Sequence, residues 1–216
     1  MFHPAHFLAS AAFAISTLAA ADEITGSGTS TTLKRELPAF TAVEIQTSGT
    51  LEINVGKAAP FEITGDDNIA PIIKTEVTGD KLLITCDKSF TTKSDLKFVV
   101  NVAELKALDV YSAATANVTG MAGQSLTMEI HGSGKVALSG KAETLAAHIR
   151  GSGKIEALRL VSRSADITIT GSGSAQVNAS DALNVRITGT GKVEYTGSPK
   201  VKKSITGIGS VKQVKP

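Results

Sequence analysis

Tryptophan is absent from this chain of 216 residues, cysteine occurs once and histidine four times. A lone thiol, Cys86, excludes an intramolecular disulfide, so the fold must be held by packing. It sits in Lys81-Leu-Leu-Ile-Thr-Cys86, which reads as a strand with a buried, inert thiol. Two histidines precede residue 22, which leaves His131 and His148 for acid–base or metal chemistry. Beyond that point the aromatics are Tyr111, Tyr195 and four Phe, few for a carbohydrate-binding groove. Charge of one sign is also missing. The balance of 22 Lys and Arg against 20 Asp and Glu leaves +2, too little to draw the chain onto nucleic acid. After residue 21 no apolar run approaches the ~20 residues of a membrane helix, so no transmembrane segment is expected in the mature chain.

Glycine, by contrast, is abundant and ordered. Gly132-Ser-Gly134, Gly151-Ser-Gly153, Gly171-Ser-Gly173, Gly189-Thr-Gly191 and Gly207-Ile-Gly209 follow one another in steps of 19, 20, 18 and 18 residues. Their flanks alternate apolar and polar: Leu126, Met128 and Ile130 before the first turn, Val136 and Leu138 after it, and so on through the series. Alternation with period two marks half-buried strands. Repetition near 19 residues marks a stack. The expected fold is therefore all-β, a right-handed parallel β-helix or β-solenoid-like stack of short strands with Gly-x-Gly turns. Gly-x-Gly also cradles phosphate at helix starts, but no helical pattern follows any of these five. Two earlier segments fit the same register. Ile45–Ile53 aligns on Ile187–Tyr195, and Val110–Val118 on Ile130–Leu138. Lys203 and Gln213 interrupt their apolar columns in the last repeat, as capping repeats do.

The run Phe7–Ala21 ends in Ala19-Ala-Ala21 and reads as a signal peptide over residues 1–21, cleaved after Ala21. No Cys lies near that point to carry a lipoprotein anchor. The mature chain is then exported to the periplasm, the outer-membrane surface or the medium. Residues 22–38, rich in Gly, Ser and Thr, read as a flexible leader. Residues 39–216 read as a single domain, with an irregular β part over 39–104 and regular repeats over 105–216.

Chemistry-bearing residues are sparse. In the repeat register Glu129 and His148 share one outward column, and His131 and Arg150 the next. Adjacent turns bring the four together on the outer face. Two His and a carboxylate could bind a metal or move a proton, yet no third ligand is evident and no cofactor or metal is assigned. Asp66-Asp67-Asn68 suggests calcium, but its ligands do not alternate as a calcium loop requires, and a turn explains them. Lys135, Lys154 and Lys192 hold one outward position, with Ser174 and Ser210 filling its other places, and Glu156 and Glu194 hold the next. Such ladders of opposite sign read as a solvated face; contact with an anionic polymer is the alternative. No Ser-His-Asp arrangement can be assembled, so no catalytic residue is named.

Taken in order, Val43-Glu-Ile45, Gly65-Asp-Asp67-Asn68, Thr75–Leu82, Phe98-Val-Val-Asn-Val102, Leu105–Leu108 and the serial Gly-Ser-Gly turns form a recognisable series. The series resembles the bacterial putative auto-transporter adhesin family, or head GIN domain family, over roughly residues 38–213. The resemblance implies a secreted or cell-envelope β-solenoid-like protein of a Gram-negative bacterium, with no established biochemical activity. The chain has no room for an autotransporter barrel, so self-translocation does not follow. Ala113-Ala114 stands where the first repeat would have Ser-Gly. The expected role is non-catalytic binding or adhesion through an extended polar surface, with a glycan, an envelope polymer or a protein as partner. Two rivals remain. An enzyme on polysaccharide would need an outward acidic cluster, and a self-associating scaffold would pair through open end strands.

Overall fold

The computed structural model describes residues 23–111 and 113–215, at Gln124 by its backbone alone. The expected signal peptide, residues 1–21, lies outside them. The irregular part contains β1 (Ile24–Thr25), β2 (Ser30–Arg35), β3 (Ala42–Ile45), β4 (Thr50–Val55), β5 (Phe61–Asp66), β6 (Lys74–Thr78), β7 (Lys81–Thr85), β8 (Phe90–Thr91) and β9 (Lys97–Val102). The repeats contain β10 (Ala107–Val110), β11 (Thr115–Gly132), β12 (Lys135–Gly151), β13 (Lys154–Gly171), β14 (Ser174–Gly189), β15 (Lys192–Thr196), β16 (Lys200–Gly207) and β17 (Ser210–Gln213). Apart from a 3-10 turn at Ala70–Ile72, the described residues form no helix.

The repeats stack as a β-solenoid of parallel strands in register. Ile130, Ile149, Ile169, Ile187 and Ile205 lie on one another, continuing a column that begins with Ile84, Ile45 and Val110. On the next side Phe98, Leu51, Ala116, Val136, Ile155, Ala175, Val193 and Val211 do the same. Almost all of these are fully buried. Each buried Ile, Leu or Val contributes about 1.5–3 kcal/mol relative to exposure, so the columns supply the main driving force.

The two glycines of each turn serve different ends. The first has positive φ, +121° at Gly171, and a Cβ there would sit 2.5 Å from the carbonyl oxygen of Gly151 one level below. The second lies against the core: a Cβ on Gly173 would come within 2.6 Å of Ile149 Cγ2. The turns are thus fixed by backbone shape and by lack of space, not by a ligand.

In the irregular part the levels are out of chain order. β3 is flanked by β7 and β10, and β4 by β9 and β11. The 42–55 level therefore lies between the 81–102 level and the first repeat. Antiparallel strands finish this end: β6 on β7, β5 on β9, and β2 on β5.

Of the leader expected to be flexible over residues 22–38, Ser30–Arg35 is instead built into the sheet as β2, and Ile24–Thr25 pairs with β8. Thr31, Leu33 and Arg35 turn toward the body while Ser30, Thr32 and Lys34 face water. β-branched threonines favour this pleated alternation, so a Ser/Thr-rich composition here spelled strand. The fully buried carboxylate of Asp66 fastens the segment. It accepts hydrogen bonds from the Gly28, Lys93 and Ser94 backbone N–H groups and from Ser94 Oγ. Asn68 accepts from the Ser27 N–H and donates to the Thr25 carbonyl. With Asp66 filled by donors, the turn it shares with Asp67 and Asn68 is a structural knot. Cys86 is half-buried just past β7, its thiol 3.8 Å from the Ile72 carbonyl oxygen.

Candidate functional site

Side chains that alternate with the Ile column must point outward. Beside it, Glu44, Asp109, Glu129, His148, Thr168, Arg186 and Ser204 share one outward column. His131, Arg150, Thr170, Thr188 and Thr206 share the next. Parallel stacking sets neighbours in each column about 4.8 Å apart.

The four residues singled out from the sequence meet at Glu129. Its carboxylate lies 3.0 Å from His131 Nε2, 3.8 Å from His148 Nδ1 and 3.9 Å from Arg150 Nη2. Tyr111 stacks flat on His131, with ring centroids 4.2 Å apart and planes 3° from parallel. The tyrosine is 45% exposed, so its ring meets solvent beside a set of donors and acceptors.

Sequence reasoning missed the residues that extend this cluster. Lys81 Nζ bridges Glu44 at 2.9 Å and Asp109 at 3.1 Å. Glu44, Asp109 and Glu129 thus form a three-level acidic column, of which Glu44 precedes the regular repeats. The alignment of Val110 on Ile130 held the signal, since it places Asp109 on Glu129. Partial burial pushes the Glu44 carboxyl up, but hydrogen bonds from Lys81 and Gln46 outweigh it and hold the group below its usual range. The same two carboxylates, donating no proton but accepting from the ammonium, push Lys81 above its usual value. Among the described residues every carboxylate whose titration is displaced, Glu44, Asp66, Glu156, Asp181 and Glu194, moves downward. That favours permanent charge and hydrogen bonding; a general acid needs the opposite shift.

Farther along the same face a groove of about 490 Å³ is lined by His148, Asp166, Thr168, Asn184, Arg186 and Lys202, among others. Asn184 donates to Asp166 at 2.6 Å. Among the described residues no group of three or more His, Cys, Asp and Glu is arranged to hold a metal. On the adjoining face the lysine and glutamate ladders neutralise one another: Lys135 and Lys154 both reach Glu156, at 3.0 and 2.7 Å, and Lys192 reaches Glu194 at 2.5 Å. Along one side, then, the outer surface is paired and solvated; along the other it is varied and partly open.

Residues 39–199 match the family model of the putative auto-transporter adhesin, head GIN domain. The chain belongs to this family. Solved structures agree in fold. A putative adhesin from Bacteroides fragilis superposes with a TM-score of 0.70 at 25% identity, over 88% of this chain and all of that one. A putative adhesin from Parabacteroides distasonis gives 0.59 at 22% identity, over 89% of this chain and all of that one. A putative lipid binding protein from the same species gives 0.56 at 23% identity, over 90% of this chain and all of that one. No protein of curated function matches. Among the described residues no helix is long and apolar enough to cross a membrane.

Proposed function

We propose that this chain is an exported binding or adhesion protein of the cell envelope, non-catalytic, that holds a glycan against the outer columns of its parallel sheet. The observation that carries the reading is the open Tyr111–His131 stack beside Glu129, His148 and Arg150. A ring face suits the C–H face of a sugar, and the flanking carboxylate, imidazole and guanidinium suit its hydroxyls. The backbone ladder holds these groups in fixed register, so little ordering cost accompanies binding. Membership of a family named for adhesion supports the same reading.

The test is a screen of the purified protein against a glycan array, peptidoglycan and lipopolysaccharide, with product analysis on each hit. Saturable binding without turnover is expected. Tyr111→Ala should weaken it about tenfold, the size of a lost stacking contact. Silence across the panel, or a hit indifferent to Tyr111→Ala, would sink the reading. The acidic column Glu44–Asp109–Glu129 favours a second reading, an enzyme acting on envelope polysaccharide. Turnover of any hit, abolished by Glu129→Gln, would replace the first reading with the second.

A further inference from the structure

Charge is divided along the stack. Residues 22–104 hold 8 Lys and Arg against 13 Asp and Glu, while residues 105–216 hold 14 against 7. The imbalance peaks in the last coil, residues 200–216, where Lys200, Lys202, Lys203, Lys212 and Lys215 are accompanied by no acidic residue. None of the five lies within ion-pair distance of a carboxylate among the described residues; Lys212, opposite Glu194 in the ladder, is the one that faces an acidic neighbour, and that carboxylate is already paired with Lys192. Elsewhere Lys34, Lys74, Lys97, Lys135, Lys154 and Lys192 are all ion-paired.

Apolar groups lie open among these cations. Val201 and Ile205 end two core columns and are 36% and 37% exposed. Ile208 is 87% exposed at the tip of the last Gly-x-Gly turn. The same tip carries Ser133, Ser152, Ser172 and Thr190 in the earlier turns. We propose that this coil docks the stack end-on against an anionic lipid bilayer.

Each element of the patch has a use there. Lysine stems lie along apolar surface while their ammonium groups reach lipid phosphates. Ile208 enters the boundary between headgroups and acyl chains. The acidic half of the stack is repelled by the same surface, which orients the long axis away from the bilayer and leaves the Tyr111 face clear. Other occupants fit less well. A soluble polyanion would reward the lysines but not Ile208. Two copies meeting through this end would bring ten lysines together, and Lys203, in the inward column of Met128 and Val185, obstructs strand addition. A head-to-tail copy would meet β2 and β6, which run antiparallel to the strands beneath them and so do not continue the parallel ladder.

The test is co-sedimentation of the protein, purified as the cell processes it, with phosphatidylcholine vesicles containing or lacking phosphatidylglycerol. Binding only to the anionic vesicles, weakened by salt, is expected. The triple variant Lys200→Gln, Lys212→Gln, Lys215→Gln should lower partitioning about a hundredfold, at roughly fivefold per lysine. Ile208→Ser should lower it about tenfold. Because the chain lacks tryptophan, Ile208→Trp supplies a single reporter whose emission should shift to the blue on anionic vesicles. No sedimentation with anionic vesicles would overturn the proposal. So would binding that dextran sulfate abolishes but Ile208→Ser leaves unchanged, which points to a soluble polyanion. Concentration-dependent light scattering without lipid would overturn it in favour of a second copy. All substituted positions are exposed, and circular dichroism identical to that of the parent confirms that each variant folds.

Discussion

Between Lys135 and Gly189 each level of the stack is one unbroken stretch of chain lying on the stretch before it. Between Ala42 and Val102 the level made by β3 and β4 lies between a later stretch, β7 and β9, and a still later one, β10 and β11. Both regions bury the same columns, and both use the same spacing. They differ in how the chain reaches its place. In the repeats a residue packs on one about 19 positions away, so the period is visible in the sequence. In the irregular half the partner is set by a hairpin and two returns, and no fixed separation marks it. The ends differ accordingly. Antiparallel β2, β5 and β6 close one of them, while β16 at the other is exposed along its whole length. Regularity makes a stack extendable; irregularity makes it stop.

The strongest way to break this comparison is to attack the repeat at its corner. Gly171→Ala forces a side chain into φ +121° and against the Gly151 carbonyl oxygen. A loss of about 3 kcal/mol or more is expected in chemical denaturation, from backbone strain and overpacking together. Ala114 already occupies the second-glycine position of the first repeat, where it is fully buried. At the matching place two levels up, Gly153→Ala meets Ile130 Cγ2 at 2.6 Å and should cost about 1–3 kcal/mol. A cost near zero there would show that Ile130 can move and that the second glycine is not required.

In the irregular half the corresponding weak point is the knot. Asp66→Ala leaves three backbone N–H groups without their acceptor. Limited proteolysis should then cut before residue 38 while the repeats stay protected. Uniform loss of protection would show that the two regions unfold as one unit.

A gentler probe is pH. The folded values of Asp66 and Glu44 are depressed. Their stabilisation is full above the ordinary carboxylate range and is lost as pH falls through the depressed values. The folded value of Lys81 is raised, so its stabilisation is full below the ordinary lysine value and is lost as pH rises through the raised one. Hydrogen exchange should therefore quicken at both extremes, first around the 24–35 segment in acid. Equal acid sensitivity of the repeat amides would contradict this. The smallest effect belongs to the paired ladder: Lys154→Ala should change stability by less than about 0.5 kcal/mol, as exposed ion pairs do.

Much of the candidate site could be read from the sequence, because parallel stacking preserves register. Aligning the turns was enough to bring Glu129, His131, His148 and Arg150 together. Lys81 and Glu44 were out of reach for a specific reason. Their levels enter the stack through out-of-order connections, and Lys81 is separated from Asp109 by 28 residues, a distance foreign to the period. The 22–38 segment failed differently. Its Ser, Thr and Gly content fits a loop as well as an edge strand, and the decision fell to Asp66, whose buried carboxylate had to be met by donors.

The sequence by itself determined the all-β class, the period, the buried columns and the corners, because alternation and glycine placement act over neighbouring residues. Only the tertiary structure decided which levels touch, that the first levels are shuffled, that Tyr111 lies on His131, and that the last coil leaves its lysines and Ile208 uncovered. Those outcomes depend on contacts between segments far apart in the chain, where no local preference of a residue can choose its partner.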